Sequence, residues 1–162
     1  MATTRAVLTP FSAEFPSSNF PALTVVNARP VLAFDASTQE TVYWTLVAPQ
    51  GLSGALSCVI TYMMASATSG NIEFEIAVEA ITDADTTDLD ATTSFDTVNS
   101  SGATAVPGTA GYIDQVSITL TNADSIAAGD LVRISISRDA DDGTNDTATG
   151  DLYLLTAELR EA

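Results

Sequence analysis

Two runs of aspartates are the residues of this chain whose type and spacing could bind a metal ion. One run comprises Asp83, Asp85, Asp88 and Asp90, and the other comprises Asp139, Asp141, Asp142, Asn145, Asp146 and Asp151. Carboxylate oxygens carried on loops are the ligands that calcium prefers. Neither run has the EF-hand spacing, because Gly143 comes one position early and no glutamate closes the loop. Acidic loops are usually only solvated, so we expect no cofactor and keep calcium at loops 83–90 and 139–151 as an alternative.

The residue types on which most enzymes rely are absent. The chain contains no histidine and no lysine. This excludes Ser-His-Asp and Cys-His catalysis, the usual zinc sites and Schiff-base lysines. The carboxylates lie mostly in loops of turn-forming residues, where burial cannot raise a pKa as a general acid requires. We therefore expect a protein that is not an enzyme.

Carbohydrate binding is a second possible function, since sugars bind to exposed aromatic rings beside polar groups. The aromatic candidates are Trp44, Tyr43, Tyr62, Tyr112 and Tyr153. Trp44 has the same parity as the apolar residues of its strand, and we expect some of the tyrosines to pack inside. The sequence therefore leaves a carbohydrate-binding domain as an alternative.

The charge balance argues against two kinds of partner. Aspartate and glutamate number 21 against five arginines, which gives a net charge of -16. Such a surface repels nucleic-acid phosphates and anionic membranes, so we expect neither partner. The single cysteine, Cys58, excludes an internal disulfide and is expected to be a small core residue. The N-terminus lacks the apolar core of a signal peptide, so we expect synthesis in a cytoplasm.

Apolar residues alternate with polar ones along most of the chain, which is the mark of half-buried strands. The clearest examples are 41–47, 72–81 and 130–137. No stretch of ten residues has helical periodicity. We expect an all-β, antiparallel two-sheet sandwich of the jelly-roll type, with about eight strands, over residues 29–162. Strands 130–137 and 151–159 are predicted to form a closing hairpin. The apolar–polar alternation skips one position near Gln115, which predicts a bulge. Residues 122–130 could hold one helical turn.

Residues 1–28 differ from the rest of the chain. Three of the six phenylalanines, Phe11, Phe15 and Phe20, are interspersed there with three prolines. Dense proline prevents a helix and makes a poor central strand, so we expect an extended arm laid along its own domain or along a neighbouring subunit. The arm residues predicted to make intersubunit contacts are Leu8, Phe11, Phe15, Phe20 and Leu23.

Three segments resemble the β-sandwich domains of tailed-phage virion proteins. They are Ala128–Gly143 with Asp146–Leu155, Phe34–Trp44 and Tyr62–Asn71, so the resemblance covers roughly residues 29–160. The resemblance implies a jelly-roll virion protein, and a single domain with an aromatic arm is similar to capsid cement or decoration proteins. The implied role is to bind the outer shell of a capsid and bridge neighbouring capsomers, which stabilises the shell. The alternative is a carbohydrate-binding or tail-associated domain for recognition of the host surface. The implied partners are the major capsid protein and the chain itself, as a homotrimer, on the virion surface.

Overall fold

The computed structural model describes residues 2–162, and its regular secondary structure is almost wholly strand. The strands are β1 (Thr3–Leu8), β2 (Ala22–Val26), β3 (Arg29–Phe34), β4 (Glu40–Val47), β5 (Leu56–Met64), β6 (Asn71–Ile72), β7 (Phe74–Ile81), β8 (Asn99–Ser100), β9 (Thr104–Ala105), β10 (Asp114–Thr119), β11 (Leu131–Arg138) and β12 (Leu152–Glu161). The helical element of the described residues is a 3-10 turn, η1 (Pro10–Ser12), and no helix there could cross a membrane.

Two antiparallel sheets pack face to face. The larger has six strands in the order β10-β5-β12-β3-β2, with β1 also paired to β12, and the smaller has the order β4-β11-β7-β8. A two-stranded sheet, β6-β9, accompanies them. The all-β antiparallel sandwich predicted from the sequence is confirmed. The main sheets hold more than the expected eight or so strands, because the N-terminal segment contributes two.

The core lies between the sheets and contains the residues that the period-two alternation places inward. Ile76 and Ile134 of the smaller sheet and Ile60 of the larger are at most 1% exposed. Trp44 is 2% exposed, as its strand parity predicts, and its Nε1 donates to the carbonyl of Thr9 at 3.0 Å. Cys58 is also in the core, and burial raises the pKa of its thiol to about 12.

The predicted hairpin of β11 and β12 is wrong, because the two strands belong to opposite sheets. β11 pairs with β4 and β7, whereas β12 pairs with β5, β3 and β1. Residues 139–151 therefore cross the sandwich. The fully buried Arg138 organises this crossing, since its guanidinium donates to Asp146 and to the carbonyls of Ala148 and Gly150.

Two smaller predictions are also wrong. β10 pairs with β5 without a register shift, so there is no bulge at Gln115. The alternation skips there because Ile113 precedes the strand and is 64% exposed. Residues 122–130 form turns rather than a helical turn. Asp124 and Ser125 have φ values of 51° and 55°, in the left-handed region that right-handed helices exclude.

The N-terminal segment lies along its own domain, which is one of the two placements that the sequence left open. β1 and β2 are members of the larger sheet, so strand pairing runs across the boundary predicted at residue 28. Between them the chain crosses to the edge of the smaller sheet. There the backbone of Glu14 exchanges two hydrogen bonds with that of Tyr43, at 2.8 and 2.9 Å.

Candidate functional site

A groove of about 380 Å³ lies on the outer face of the larger sheet. Four separate parts of the chain form it: the β2–β3 turn, β5, β12 and the segment that leads into β10. The residues that line it are Val26, Asn27, Arg29, Met63, Gly111, Ile113 and Leu155. Its surface is therefore mainly apolar, with one amide and one guanidinium as polar groups, which is the composition typical of small-molecule sites.

The polar groups of this groove come from a tight turn. Asn27 and Ala28 connect β2 to β3 with φ values of 47° and 62°, the pattern of a type I′ hairpin turn. Arg29 Nη1 donates to the carbonyl oxygen of Asn27 at 3.2 Å. Among the described residues, the side-chain amide of Asn27 and the rest of the Arg29 guanidinium have no hydrogen-bond partner, so both remain available to a ligand.

Two tyrosines adjoin the groove. Tyr153 is paired with Met63 in the β12–β5 register, and directly opposed residues point to the same face of a sheet. The register shift between Leu154 and Thr156 bends β12 there, and the half-buried Leu155 lines the groove. Tyr112 lies between two lining residues and is 66% exposed. The groove thus has an apolar floor, and the two tyrosines lie beside it rather than among the residues that line it.

The other aromatic candidates are not comparably available. Trp44 and Tyr62 are buried, and the Tyr62 hydroxyl bonds Asp114 at 3.2 Å. Tyr43 lies on the outer face of the smaller sheet, where the Arg133 guanidinium stacks over its ring at 4.3 Å and Phe95 packs at 5.8 Å.

A second depression, of about 180 Å³, lies on the smaller sheet beside Tyr43, and its polar groups satisfy one another. Arg133 Nε is 3.5 Å from Glu14 Oε2, and the same oxygen accepts the Thr45 hydroxyl at 3.0 Å. Glu79 accepts both the backbone N–H and the hydroxyl of Ser94. A ligand there would have to break existing bonds, so we regard the groove on the larger sheet as the better binding site.

An acidic cluster forms where β7 begins and β11 ends. Glu73, Asp139 and Asp142 each place one carboxylate oxygen within 4.8 Å of the others. They meet because the antiparallel register opposes Arg138 to Phe74, so the residue after Arg138 lies beside the residue before Phe74. Burial, then a hydrogen bond with Asp141 and further neighbouring carboxylates, raises the pKa of Asp139 to about 7.

The cluster uses only part of the calcium ligands proposed from the sequence. The run 139–151 supplies two members, but its Asp146 is committed to Arg138. The four aspartates of the run 83–90 are exposed, and none belongs to this cluster. Sequence reasoning missed Glu73 because it read that residue only as part of a strand face. Glu73 could have been identified by assuming that the two alternating strands, 72–81 and 130–137, are antiparallel neighbours.

The predicted interface residues have different environments. Leu8 is 4% exposed and packs in the core, so in this fold it cannot contact a second subunit. Phe11 is 74% exposed, while Phe15 and Phe20 are about 40% exposed with ring centroids 5.5 Å apart. Leu23 is 46% exposed on β2, an edge strand of the larger sheet. The last four are accessible, and their role in an interface stays a prediction.

Comparison with known proteins identifies the fold. No protein-family model matches the chain, and no curated protein matches it. Among solved structures, the CBM22-1 xylan-binding domain from Paenibacillus barcinonensis Xyn10C aligns with a TM-score of 0.51 and 13% identity, covering 99% of this chain and 95% of that one. The xylan-binding module CBM15 aligns with a TM-score of 0.50 and 11% identity, covering 100% and 95%. These similarities establish a jelly-roll β-sandwich, as the sequence predicted.

Proposed function

We propose that this chain is a non-catalytic carbohydrate-binding domain that holds a neutral glycan in the groove on its larger sheet. The observation that carries the proposal is the groove itself. Its apolar floor is adjoined by Tyr112 and Tyr153, and it offers the unpaired amide of Asn27 and the guanidinium of Arg29. A sugar ring has apolar faces and hydroxylated edges. Tyrosine rings suit the faces, and amide and guanidinium groups suit the edges.

Binding rather than hydrolysis follows from the chemistry of the lining residues. Glycosidases generally act with a pair of carboxyl groups across the scissile bond. The residues that line the groove include no aspartate or glutamate. The groove therefore has groups that orient a sugar and lacks the acid and base that would cleave it.

The charge of the protein indicates the class of glycan. A net charge of -16 repels uronic-acid and sulfated polysaccharides at a distance, and Arg29 is the one cation in the groove. A neutral chain avoids this repulsion. Xylan-binding domains are among the structures with a similar fold, so neutral xylo-oligosaccharides are the probes to test first.

Calorimetric titration with xylohexaose and a panel of neutral oligosaccharides tests the proposal. Tyr153→Ala and Tyr112→Ala should each weaken binding about tenfold, the equivalent of about 1.4 kcal/mol, because each removes an aromatic contact. Tyr43→Ala is the matched control, since this half-buried tyrosine lies on the opposite sheet. Absence of binding to the whole panel, or an equal loss in the control, would contradict the proposal.

A second candidate function is the capsid cement role, and the accessible apolar residues of the N-terminal segment favour it. Phe11, Phe15, Phe20 and Leu23 are exposed, and Val25 on the same edge strand is 64% exposed. Exposed edge strands and aromatic side chains are common means of protein association. In this role a homotrimer would bind the major capsid protein on the virion surface.

Serine at all three phenylalanine positions tests the second candidate. The triple variant should keep the sandwich folded, because these rings lie outside the core cluster. It should lose binding to shells assembled from the major capsid protein of the phage that encodes the chain. Retained binding would contradict this role. A wild-type monomer in light scattering would contradict a preformed trimer.

A further inference from the structure

We propose that Glu73, Asp139 and Asp142 form a calcium site that joins the start of β7 to the crossing between β11 and β12. The proposal is separate from glycan binding, since these residues do not line the groove. It rests on two independent observations. One is the convergence of three carboxylates, and the other is a buried carboxylate oxygen that has no partner.

The unpartnered oxygen is Oε2 of Glu73. Glu73 is 6% exposed, and Oε2 has no hydrogen-bond donor within the described residues. The other oxygen, Oε1, accepts the Ser100 hydroxyl. Buried polar atoms without a partner are rare, and a buried carboxylate oxygen needs a donor or a cation to offset its lost hydration. The unpartnered oxygen of Glu73 is therefore free to bind a cation.

No arginine neutralises this cluster. Within residues 2–162 the ion pairs join Arg5 to Glu161, Arg133 to Glu14, Arg138 to Asp146 and Arg160 to Glu158. Arg138 is adjacent in sequence, but its guanidinium is directed to Asp146 and to backbone carbonyls. Three carboxylates at such short range repel one another unless one of them is protonated or a cation lies between them.

The ligand set favours calcium over magnesium. The three oxygens lie within 4.8 Å of one another, which is compatible with ligation of a single calcium ion. Magnesium demands near-ideal octahedral geometry and gives up its water reluctantly, so it is rarely held by a dedicated set of protein carboxylates. Calcium also tolerates irregular geometry and completes its shell with water, which suits a site with three protein carboxylates.

Calorimetry and thermal unfolding of the purified chain, after EDTA treatment and dialysis, test the site. We expect one calcium ion to bind per chain. At 100 times Kd the midpoint of unfolding should rise by about 5–11 °C, because an ion that binds only the folded state stabilises it by mass action. Magnesium at the same concentration should produce a smaller rise.

Two variants and a matched control locate the site. Glu73→Gln and Asp142→Asn should each reduce calcium affinity at least tenfold, and Glu73→Gln should raise the melting temperature in EDTA because it removes charge repulsion. Glu79→Gln is the control. Glu79 lies in β7 on the same face as Glu73, the residue before this strand, and is similarly buried. Unlike Glu73 Oε2, its carboxylate has protein donors, because Oε1 accepts two hydrogen bonds from Ser94. It should bind calcium as the wild type does.

Two results would overturn the proposal. One is a wild-type protein that shows neither a heat of calcium binding in calorimetry nor a rise in melting temperature with calcium. The other is unchanged calcium affinity in both Glu73→Gln and Asp142→Asn, which would assign the binding to another part of the acidic surface. Each variant is judged only if it shows a cooperative unfolding transition, and the two different substitutions guard against a folding failure in one of them.

Discussion

Replacing Asp146 with asparagine should destabilise the fold more than any other single charge removal in the crossing between the sheets. Arg138 is fully buried and Asp146 is 5% exposed. Two hydrogen bonds of 2.8 Å join the guanidinium to both carboxylate oxygens. Three more go to backbone carbonyls, at 3.2 Å to Asp35, 2.8 Å to Gly150 and 3.0 Å to Ala148. The pair therefore connects β11, the β3–β4 turn and the start of β12.

The expected loss of stability follows from the contacts with Arg138 that an asparagine cannot make. Its amide keeps one acceptor for Arg138 but turns an NH₂ group towards the other guanidinium N–H, so one charge-assisted bond is lost. The guanidinium remains buried without a counter-charge. Removing one partner of a buried ion pair costs about 3–5 kcal/mol. For a chain of this length that corresponds to a fall of about 6–20 °C in the melting temperature.

Urea denaturation followed by circular dichroism measures this loss directly. Asp151→Asn is the matched control, because it makes the same chemical change in the same crossing at an exposed side chain. It should stay within about 0.5 kcal/mol of the wild type. A loss of less than about 1 kcal/mol in Asp146→Asn would refute the reasoning, because it would mean that the buried guanidinium does not depend on this carboxylate.

Two further predictions concern a turn and a carboxylate near the C-terminus. Ala28 has a φ of 62°. Ala28→Gly should therefore stabilise the fold by about 0.5–1 kcal/mol in urea denaturation, because the relief of left-handed strain exceeds the added entropy of the unfolded chain. A loss of stability would contradict this account of the turn. Hydrogen bonds from the backbone N–H groups of Ser53 and Gly54, and contact with Arg5, hold the pKa of Glu161 below its usual range. The stability that the Glu161 carboxylate contributes to the fold is therefore complete at pH values above its unfolded-state pKa of about 4.3. This stability is lost as the pH falls through the lower pKa of the folded state. Glu161→Gln should be less stable than the wild type at pH 7, and the difference should shrink towards pH 3; a difference independent of pH would show that the charge of Glu161 is not what matters.

The strands and the core could be predicted from the sequence because alternation alone determines which residues face inward. Ile76, Ile134 and Trp44 are buried as their parity requires. Which strands pair depends on contacts between distant parts of the chain, and the local pattern does not contain this information. The supposed hairpin of β11 and β12 failed for this reason, since two apolar strands in succession can belong to one sheet or to two.

The groove on the larger sheet could not be predicted because no local motif encodes it. Its walls come from residues near 27, 63, 112 and 155, which the order of strands brings together. One signal was available at its edge. Asn27 and Ala28 separate two short extended runs, and a two-residue connection that begins with asparagine is typical of a hairpin turn. The sequence reading instead ended the arm at residue 28, within this turn.

The acidic cluster was half predicted. Composition pointed to the run 139–151, and two of its aspartates belong to the cluster. The third member, Glu73, is remote in sequence and joins them only through the β7–β11 register. Sequence composition thus identified the two loop members of the cluster, whereas its buried member required the sheet.

Titration of the ¹⁵N-labelled chain with xylohexaose, followed by backbone amide shifts, tests the central claim most directly. Glycan binding in the groove predicts saturable shifts at Asn27, Arg29, Met63, Tyr112 and Leu155, with Tyr43 and Arg133 on the opposite sheet unchanged. Titration with other neutral oligosaccharides extends the test to the whole class. Shifts confined to the opposite sheet, or no shifts with any neutral oligosaccharide, would contradict the assignment of this groove as a carbohydrate-binding site.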